Sequence, residues 1–148
     1  MASVLIVYGS TGGNTELVCD KVAEVLIDAG HKPKVKRAEQ SAISDFEGFD
    51  VLVFASSTYG QGLLQDYFEP LYFEIKKAGL KEKKCAVIGL GDNKYNVEYV
   101  VEAAKILENM VKETGGELIV PSLRVNKTPV TVLNTLINEW AVNLSKAI

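Results

Sequence analysis

Three stretches of this 148-residue sequence gather residue types that hold small ligands rather than fill a core. The first is Gly9-Ser10-Thr11-Gly12-Gly13-Asn14-Thr15-Glu16, which follows an apolar run and leads into an amphipathic segment. Main-chain N–H groups at the start of a helix lack partners and carry the positive end of its dipole. Glycines let such a chain wrap an anion closely, and hydroxyls add donors. The pattern is that of a phosphate cradle. It holds no Lys or Arg, so it lacks the Gly-Lys-Ser/Thr ending of a P-loop. The Gly-x-Gly-x-x-Gly spacing of a dinucleotide site is absent too. Neutral donors around one anion point to a terminal monophosphate, and they outnumber what a plain cap by Asn14 or Thr15 requires.

The second stretch is Ser56-Ser57-Thr58-Tyr59-Gly60-Gln61-Gly62 and the third is Gly89-Leu90-Gly91-Asp92-Asn93-Lys94-Tyr95. Each follows an apolar run and carries a tyrosine a few residues on. Two aromatic faces flanking a slot would sandwich a planar ring system. One tyrosine alone would be ordinary packing, but two beside a phosphate cradle suggest a ligand with a flat head and an anionic tail.

These loops need a scaffold that brings them together, and the rest of the sequence supplies one. Val4–Tyr8, Val51–Ala55 and Cys85–Leu90 are short, wholly apolar runs that read as buried strands. Lys34–Lys36 reads as an edge strand and Leu118–Val120 as a last one. Between them lie amphipathic helices. The first runs from Asn14 to about Ala29, with Val18, Val22, Val25, Leu26 and Ala29 inward. The next two run from Asp66 to Ala78 and from Glu98 to Glu113, the latter with Val101, Ala104, Leu107 and Val111 inward. A closing helix spans Val130–Lys146 with Leu133, Leu136, Ile137, Trp140 and Leu144 inward. Apolar strands alternating with such helices predict an α/β domain with a parallel sheet covered on both faces. Ligands in such sheets bind beyond the carboxyl ends of the strands, where these three loops fall.

Composition bounds the partners. With a net charge of −3, the chain offers no footprint for nucleic acid or an anionic membrane. The charge is uneven: residues 1–75 carry eleven acids and five bases, residues 76–148 eight acids and eleven bases. Cys19 and Cys85 match no metal or redox spacing, and a reducing compartment is the simpler inference. No signal-peptide pattern opens the sequence and no apolar run reaches membrane-spanning length, so the expectation is a cytoplasmic protein. His31 is expected to be exposed, Trp140 to pack in the core, Cys19 to be structural and Lys81–Lys84 to form a solvated basic turn.

With these motifs in hand the chain resembles the flavodoxins, of the short type whose last strand has no long insertion. The likeness runs over residues 1–148 as one domain. It rests on Tyr8-Gly9-Ser10-Thr11, Gly13-Asn14-Thr15-Glu16, Ser57-Thr58-Tyr59-Gly60 and Gly91-Asp92-Asn93-Lys94-Tyr95. The resemblance implies a doubly wound, five-stranded parallel sheet of order 2-1-3-4-5 and one non-covalently bound FMN. It implies that Ser10, Thr11, Gly12, Gly13, Asn14 and Thr15 hold the phosphate, helped by Ser57 and Thr58. Tyr95 would stack on the outer face of the isoalloxazine and Tyr59 on the inner face, where many members have Trp. Backbone groups of Gly60, Gln61, Asp92, Val97 and Tyr99, with Gly91 leading into the third loop, would meet the polar edges of the ring. The implied function is that of a low-potential one-electron carrier working through a neutral semiquinone. It would be a monomer, with no catalytic or metal-binding residues and with transient redox partner proteins.

The sequence departs from the family in two places. Position 12 is Gly where the family usually has Thr, which removes a hydroxyl donor and implies weaker phosphate binding. The loop after Tyr59 is short and neutral where relatives place several acids, and Lys94 adds a cation opposite. Each lost charge at about 10 Å is worth about 35 mV, so the second reduction potential is expected to rise by up to about 100 mV. Gly60 suits a carbonyl that swings toward the flavin N5 proton of the semiquinone, since a positive φ costs glycine little. A phosphoacceptor receiver domain is excluded, because Gly9-Ser10 and Ser56-Ser57 stand where its acids belong. A tyrosine phosphatase is excluded by the absence of Cys-x5-Arg. An FMN-dependent quinone or NAD(P)H reductase, and a flavodoxin-like module that has lost FMN, remain as alternatives.

Overall fold

The computed structural model describes residues 2–9, 13–59, 63–64, 67–91, 102–126 and 129–148, the side chains of residues 58, 59, 63, 64 and 102 apart. The first strand, β1 (Ser3–Gly9), is followed by α1 (Asn14–Asp28), β2 (Lys32–Arg37) and β3 (Val51–Tyr59). Next come the two-residue β4 (Leu63–Leu64), α2 (Glu69–Ala78), β5 (Lys84–Gly91) and α3 (Glu102–Glu113). The chain closes through β6 (Glu117–Leu118), β7 (Leu123–Asn126) and α4 (Asn138–Ala147).

The main path of the sheet is β2-β1-β3-β5-β6, all parallel; β7 also pairs with β5 in parallel, and β4 lies antiparallel to β3. With β6 and β7 counted as one interrupted strand, this is the expected order 2-1-3-4-5. Alternation along the central strands feeds two cores. Val4, Ile6, Tyr8, Val53 and Ile88 join Val18, Val22, Trp140 and Leu144 on one face. Leu5, Val7, Leu52, Phe54 and Val87 join Leu71, Ile75, Leu107 and Met110 on the other. Both faces are covered, so the central strands are apolar throughout.

Several boundaries differ from the sequence reading, each for a local reason. The last strand is not Leu118–Val120 but two pieces, because Pro121 has no N–H to give the ladder. The Pro121 carbonyl instead accepts the Trp140 indole N–H at 2.7 Å, which fixes the buried ring. Helix α2 begins at Glu69 rather than Asp66, with Pro70 in its first turn, where a missing N–H is harmless. Helix α1 ends at Asp28, so Ala29 is an exposed cap and not part of the inward stripe. β2 is longer than Lys34–Lys36, and β3 runs four residues beyond Ala55 because β5 and β4 pair with its end.

The closing segment is not one helix. A 3-10 turn (Pro129–Val132) and a π-helical turn (Leu133–Ile137) precede α4. The widened turn buries Ile137 and leaves Leu136 43% exposed, against the expectation that both face inward.

His31 is not a free surface side chain. It is half-buried; Nδ1 accepts the Ala2 N–H at 3.1 Å, and Nε2 lies 3.1 Å from the Ser145 carbonyl. With Nδ1 accepting, the second contact makes Nε2 the protonated nitrogen. Lys81 and Lys84 are exposed as expected, but Lys83 is half-buried and donates to the Phe49 carbonyl. Cys19 and Cys85 are buried free thiols, and burial pushes the Cys85 thiol up to about 12.

The turn into β5 carries backbone strain, held by main-chain bonds of Leu80 to Thr114 and of Glu82 to Gly115. Lys81 and Glu82 have φ of 52° and 63°, and the Lys83 N–H closes the turn on the Leu80 carbonyl at 3.0 Å. Two left-handed central residues are what a type I′ turn needs, and Asn and Gly are the residues that suit it. Both side chains are exposed. Glu82→Gly is therefore expected to stabilise the protein by about 0.5–1 kcal/mol, the relief of one left-handed residue less the added freedom of the unfolded chain. Urea unfolding checks this; a destabilised variant would mean the Glu82 side chain has a role its exposure hides.

Candidate functional site

Strand register places the three loops in one row. Gly9, the last residue of β1, lies beside Ser56 and Ser56 beside Gly89, the latter two near the carboxyl ends of β3 and β5. The chain order reverses here, since the strand after β1 lies on one side of it and β3 on the other. That reversal opens the crevice in which parallel sheets bind ligands.

Helix α1 starts at this row. Gly13, its N-cap, sits at φ 86°, a conformation glycine adopts freely and other residues rarely do. A Cβ there would meet nothing within 4 Å, so the backbone and not crowding selects glycine. The Leu17 N–H reaches the Gly13 carbonyl at 3.0 Å, which leaves the N–H groups of residues 14–16 without partners inside the helix. Asn14 is exposed. Thr15 is 1% exposed, and its Oγ1 has no hydrogen-bond partner among the described residues. A buried hydroxyl without a partner costs about 1–3 kcal/mol. Such a group at a helix start points to a missing acceptor or donor, and it is a neutral donor of the kind the sequence reading assigned to a phosphate.

A cluster of side chains flanks this start. Tyr8, 4% exposed, donates its hydroxyl to Glu16 Oε1 at 2.9 Å. Burial first, and then the Glu16 carboxylate, push the Tyr8 pKa above its usual value, so the phenol keeps its proton. Arg37 lies opposite Tyr8 in the register, its guanidinium carbon 5.4 Å from the Tyr8 ring centre and 5.9 Å from that of Tyr67. Its Nε also donates to Glu39 at 2.9 Å. One turn along α1, burial and then Glu16 hold the Asp20 carboxyl above the ordinary range. Sequence reasoning missed this cluster. The signal available was Glu16 itself, three residues past the helix N-cap.

On the second loop, Ser57 is half-buried; Ser56 is buried and donates to the Ser57 carbonyl at 2.9 Å. The backbone of Thr58 and Tyr59 completes β3 and pairs with β4. On the third loop, Gly91 ends β5, half-buried and paired with Asn126 of β7. The structure thus brings Gly13, Asn14, Thr15, Ser57 and Gly91 to one edge of the sheet. Ser10, Thr11, Gly12, Gly60, Gln61, Asp92, Tyr95, Val97 and Tyr99 lie outside the described residues, as does Val101; so do the rings of Tyr59 and Tyr95 as walls of a slot. Among the described residues no cluster of His, Cys, Asp and Glu could hold a metal ion, and no helix is long and apolar enough to cross a membrane.

Behind the third loop, Gly89 touches α3. A Cβ on Gly89 would lie 2.5 Å from the Ala104 Cβ and 2.6 Å from its backbone nitrogen. This close approach sets the position of the helix that receives the chain from residues 92–101.

Comparison with known proteins agrees with this architecture. Residues 6–140 match the model of the family described as Flavodoxin. A flavodoxin of Maridesulfovibrio salexigens is 36% identical over 132 residues, covering 87% of this chain and 89% of that one. The structure of the Streptococcus pneumonia TIGR4 flavodoxin superposes with a TM-score of 0.89 at 28% identity, covering 99% of this chain and 100% of the other. A Fusobacterium nucleatum flavodoxin bound to flavin mononucleotide shares the fold, with a TM-score of 0.85 at 16% identity over 99% of this chain and 98% of that one.

Proposed function

The chain belongs to the flavodoxin family, and from that premise we propose that it binds FMN and works as a low-potential electron carrier between redox proteins. Flavodoxins are electron-transfer proteins, and the carrier role needs no catalytic acid, base or nucleophile from this chain. The observation that carries the reading is the buried Thr15 hydroxyl at the start of α1, without a partner among the described residues, which fits a phosphate oxygen as acceptor. Thr15, Ser10, Thr11, Gly12, Gly13 and Asn14 would hold the phosphate with neutral donors, joined by Ser57 and Thr58. Tyr59 and Tyr95 would cover the two faces of the ring. Gly60, Gln61, Gly91, Asp92, Val97 and Tyr99 would meet its polar edges through the backbone. When bound, FMN would supply one-electron redox chemistry.

The residues' work is to grip, orient and screen. A scaffold of buried strands fixes where the loops begin, and the helix start favours an anion. Partner proteins would meet the exposed edge of the ring through a small, transient surface.

Stepwise reduction of the FMN-loaded protein, followed by absorbance, tests the proposal. The expected result is a stable blue one-electron-reduced form and negligible NAD(P)H oxidation. Rapid NAD(P)H consumption with a quinone present would assign the chain to the reductases instead. A protein that stays colourless in excess FMN would leave it a module without the cofactor.

A further inference from the structure

Glu16 stands three residues beyond the N-cap of α1. From that position a glutamate ordinarily folds back onto the N–H of the cap and closes a capping box. In this chain it turns the other way: the Glu16 carboxylate accepts the Tyr8 hydroxyl on β1 at 2.9 Å. The positive Arg37 guanidinium lies over the Tyr8 ring, on the strand next to it. Asp20, four residues on, carries a like charge close enough to Glu16 for the two carboxylates to repel. In the turn that Glu16 leaves, Thr15 keeps a buried hydroxyl with no partner among the described residues.

A phosphate and a carboxylate cannot share one helix start without like-charge repulsion. Resting on the FMN reading above, we propose that Tyr8 is a positioning residue: its hydroxyl holds the Glu16 carboxylate off the phosphate seat. The helix thereby keeps its own first-turn acid from competing with the ligand's phosphate. Tyr8 touches neither phosphate nor ring in this scheme; it acts through Glu16. The effect is specific to the phosphate, so riboflavin, which has the same ring and no phosphate, is indifferent to it.

Fluorescence titration of the flavin-free full chain with FMN and, separately, with riboflavin tests the proposal. Tyr8→Phe is expected to weaken FMN binding about fivefold, the scale of one capping interaction, while riboflavin affinity moves less than about twofold. Glu16→Ala alone is expected to bind FMN at least as tightly as the parent. The double variant Tyr8→Phe/Glu16→Ala is expected to return FMN affinity to the parent's. A merely structural role for Tyr8 would lower both affinities together, and that outcome overturns the proposal. So does unchanged FMN binding in Tyr8→Phe, a double variant as weak as Tyr8→Phe, or weakened FMN binding in Glu16→Ala. A parent that binds neither flavin overturns the FMN reading itself, a result distinct from all of these.

Discussion

Thr15→Val is expected to weaken FMN binding by roughly 10- to 100-fold and, in the same protein without flavin, to raise stability by about 1 kcal/mol. The two signs come from one atom. Thr15 Oγ1 is buried and has no partner among the described residues, so the flavin-free fold carries a desolvated hydroxyl. Valine has the same shape and no polar atom, and its introduction removes that cost without opening a cavity. A hydrogen bond to a charged acceptor is worth about 1.5–3 kcal/mol, and the bond is lost when the hydroxyl goes. Thermal or urea unfolding of the flavin-free variant, together with its FMN dissociation constant, checks both halves. If stability and affinity fell together, Thr15 would be an ordinary structural residue with a partner outside the described set, and the phosphate reading would lose its main support.

Gly89→Ala is expected to destabilise the protein by about 3 kcal/mol, lowering Tm by about 6–12 °C, and to weaken FMN binding as well. The added Cβ would come within 2.5 Å of the Ala104 Cβ and within 2.6 Å and 2.9 Å of Ala104 backbone atoms. Backbone cannot rotate away as a flexible side chain can, so α3 must shift as a body. Helix α3 follows directly on residues 92–101, which lead from β5 and include Tyr95, and a shifted helix would move the point at which that segment is anchored. A compensating change separates the causes. Ala104→Gly in the Gly89→Ala background removes only the Cβ contact, so partial rescue is expected. Full rescue would show that the clash was between side chains alone, and an unaltered Tm in Gly89→Ala would show that α3 yields freely.

The architecture was legible in the sequence because wholly apolar strands and one-sided helices report burial directly. Val4–Tyr8, Val51–Ala55 and Cys85–Leu90 all belong to the fully covered centre of the sheet. Errors gathered where local chemistry overrode periodicity. Pro121 broke the last strand by withholding an N–H, which a hydrophobic pattern does not register. The π-helical turn that moves Leu136 outward leaves no mark on a 3.6-residue pattern. His31 was misplaced because its partners, Ala2 and Ser145, are distant in sequence and both act through the main chain.

The site was legible in part for the same reason. Small and hydroxyl residues at the start of α1 signal an anion through composition alone. The pairing of Tyr8 with Glu16 crosses from strand to helix, and only the fold reveals which way the carboxylate turns. That Thr15 rather than Asn14 is buried depends on the phase of the helix against the sheet, which a sequence pattern does not fix to one residue.

The row formed by Gly9, Ser56 and Gly89 has a consequence for cycles of loading and release. Gly9 ends β1, and Ser56 and Gly89 lie just inside the ends of β3 and β5, paired within the buried middle of the sheet, the kind of region that opens only with global unfolding. Deuterium would enter there last, whether flavin is present or not. The framework half of the seat is thus in place before ligand arrives, and capture takes no ordering entropy from the scaffold.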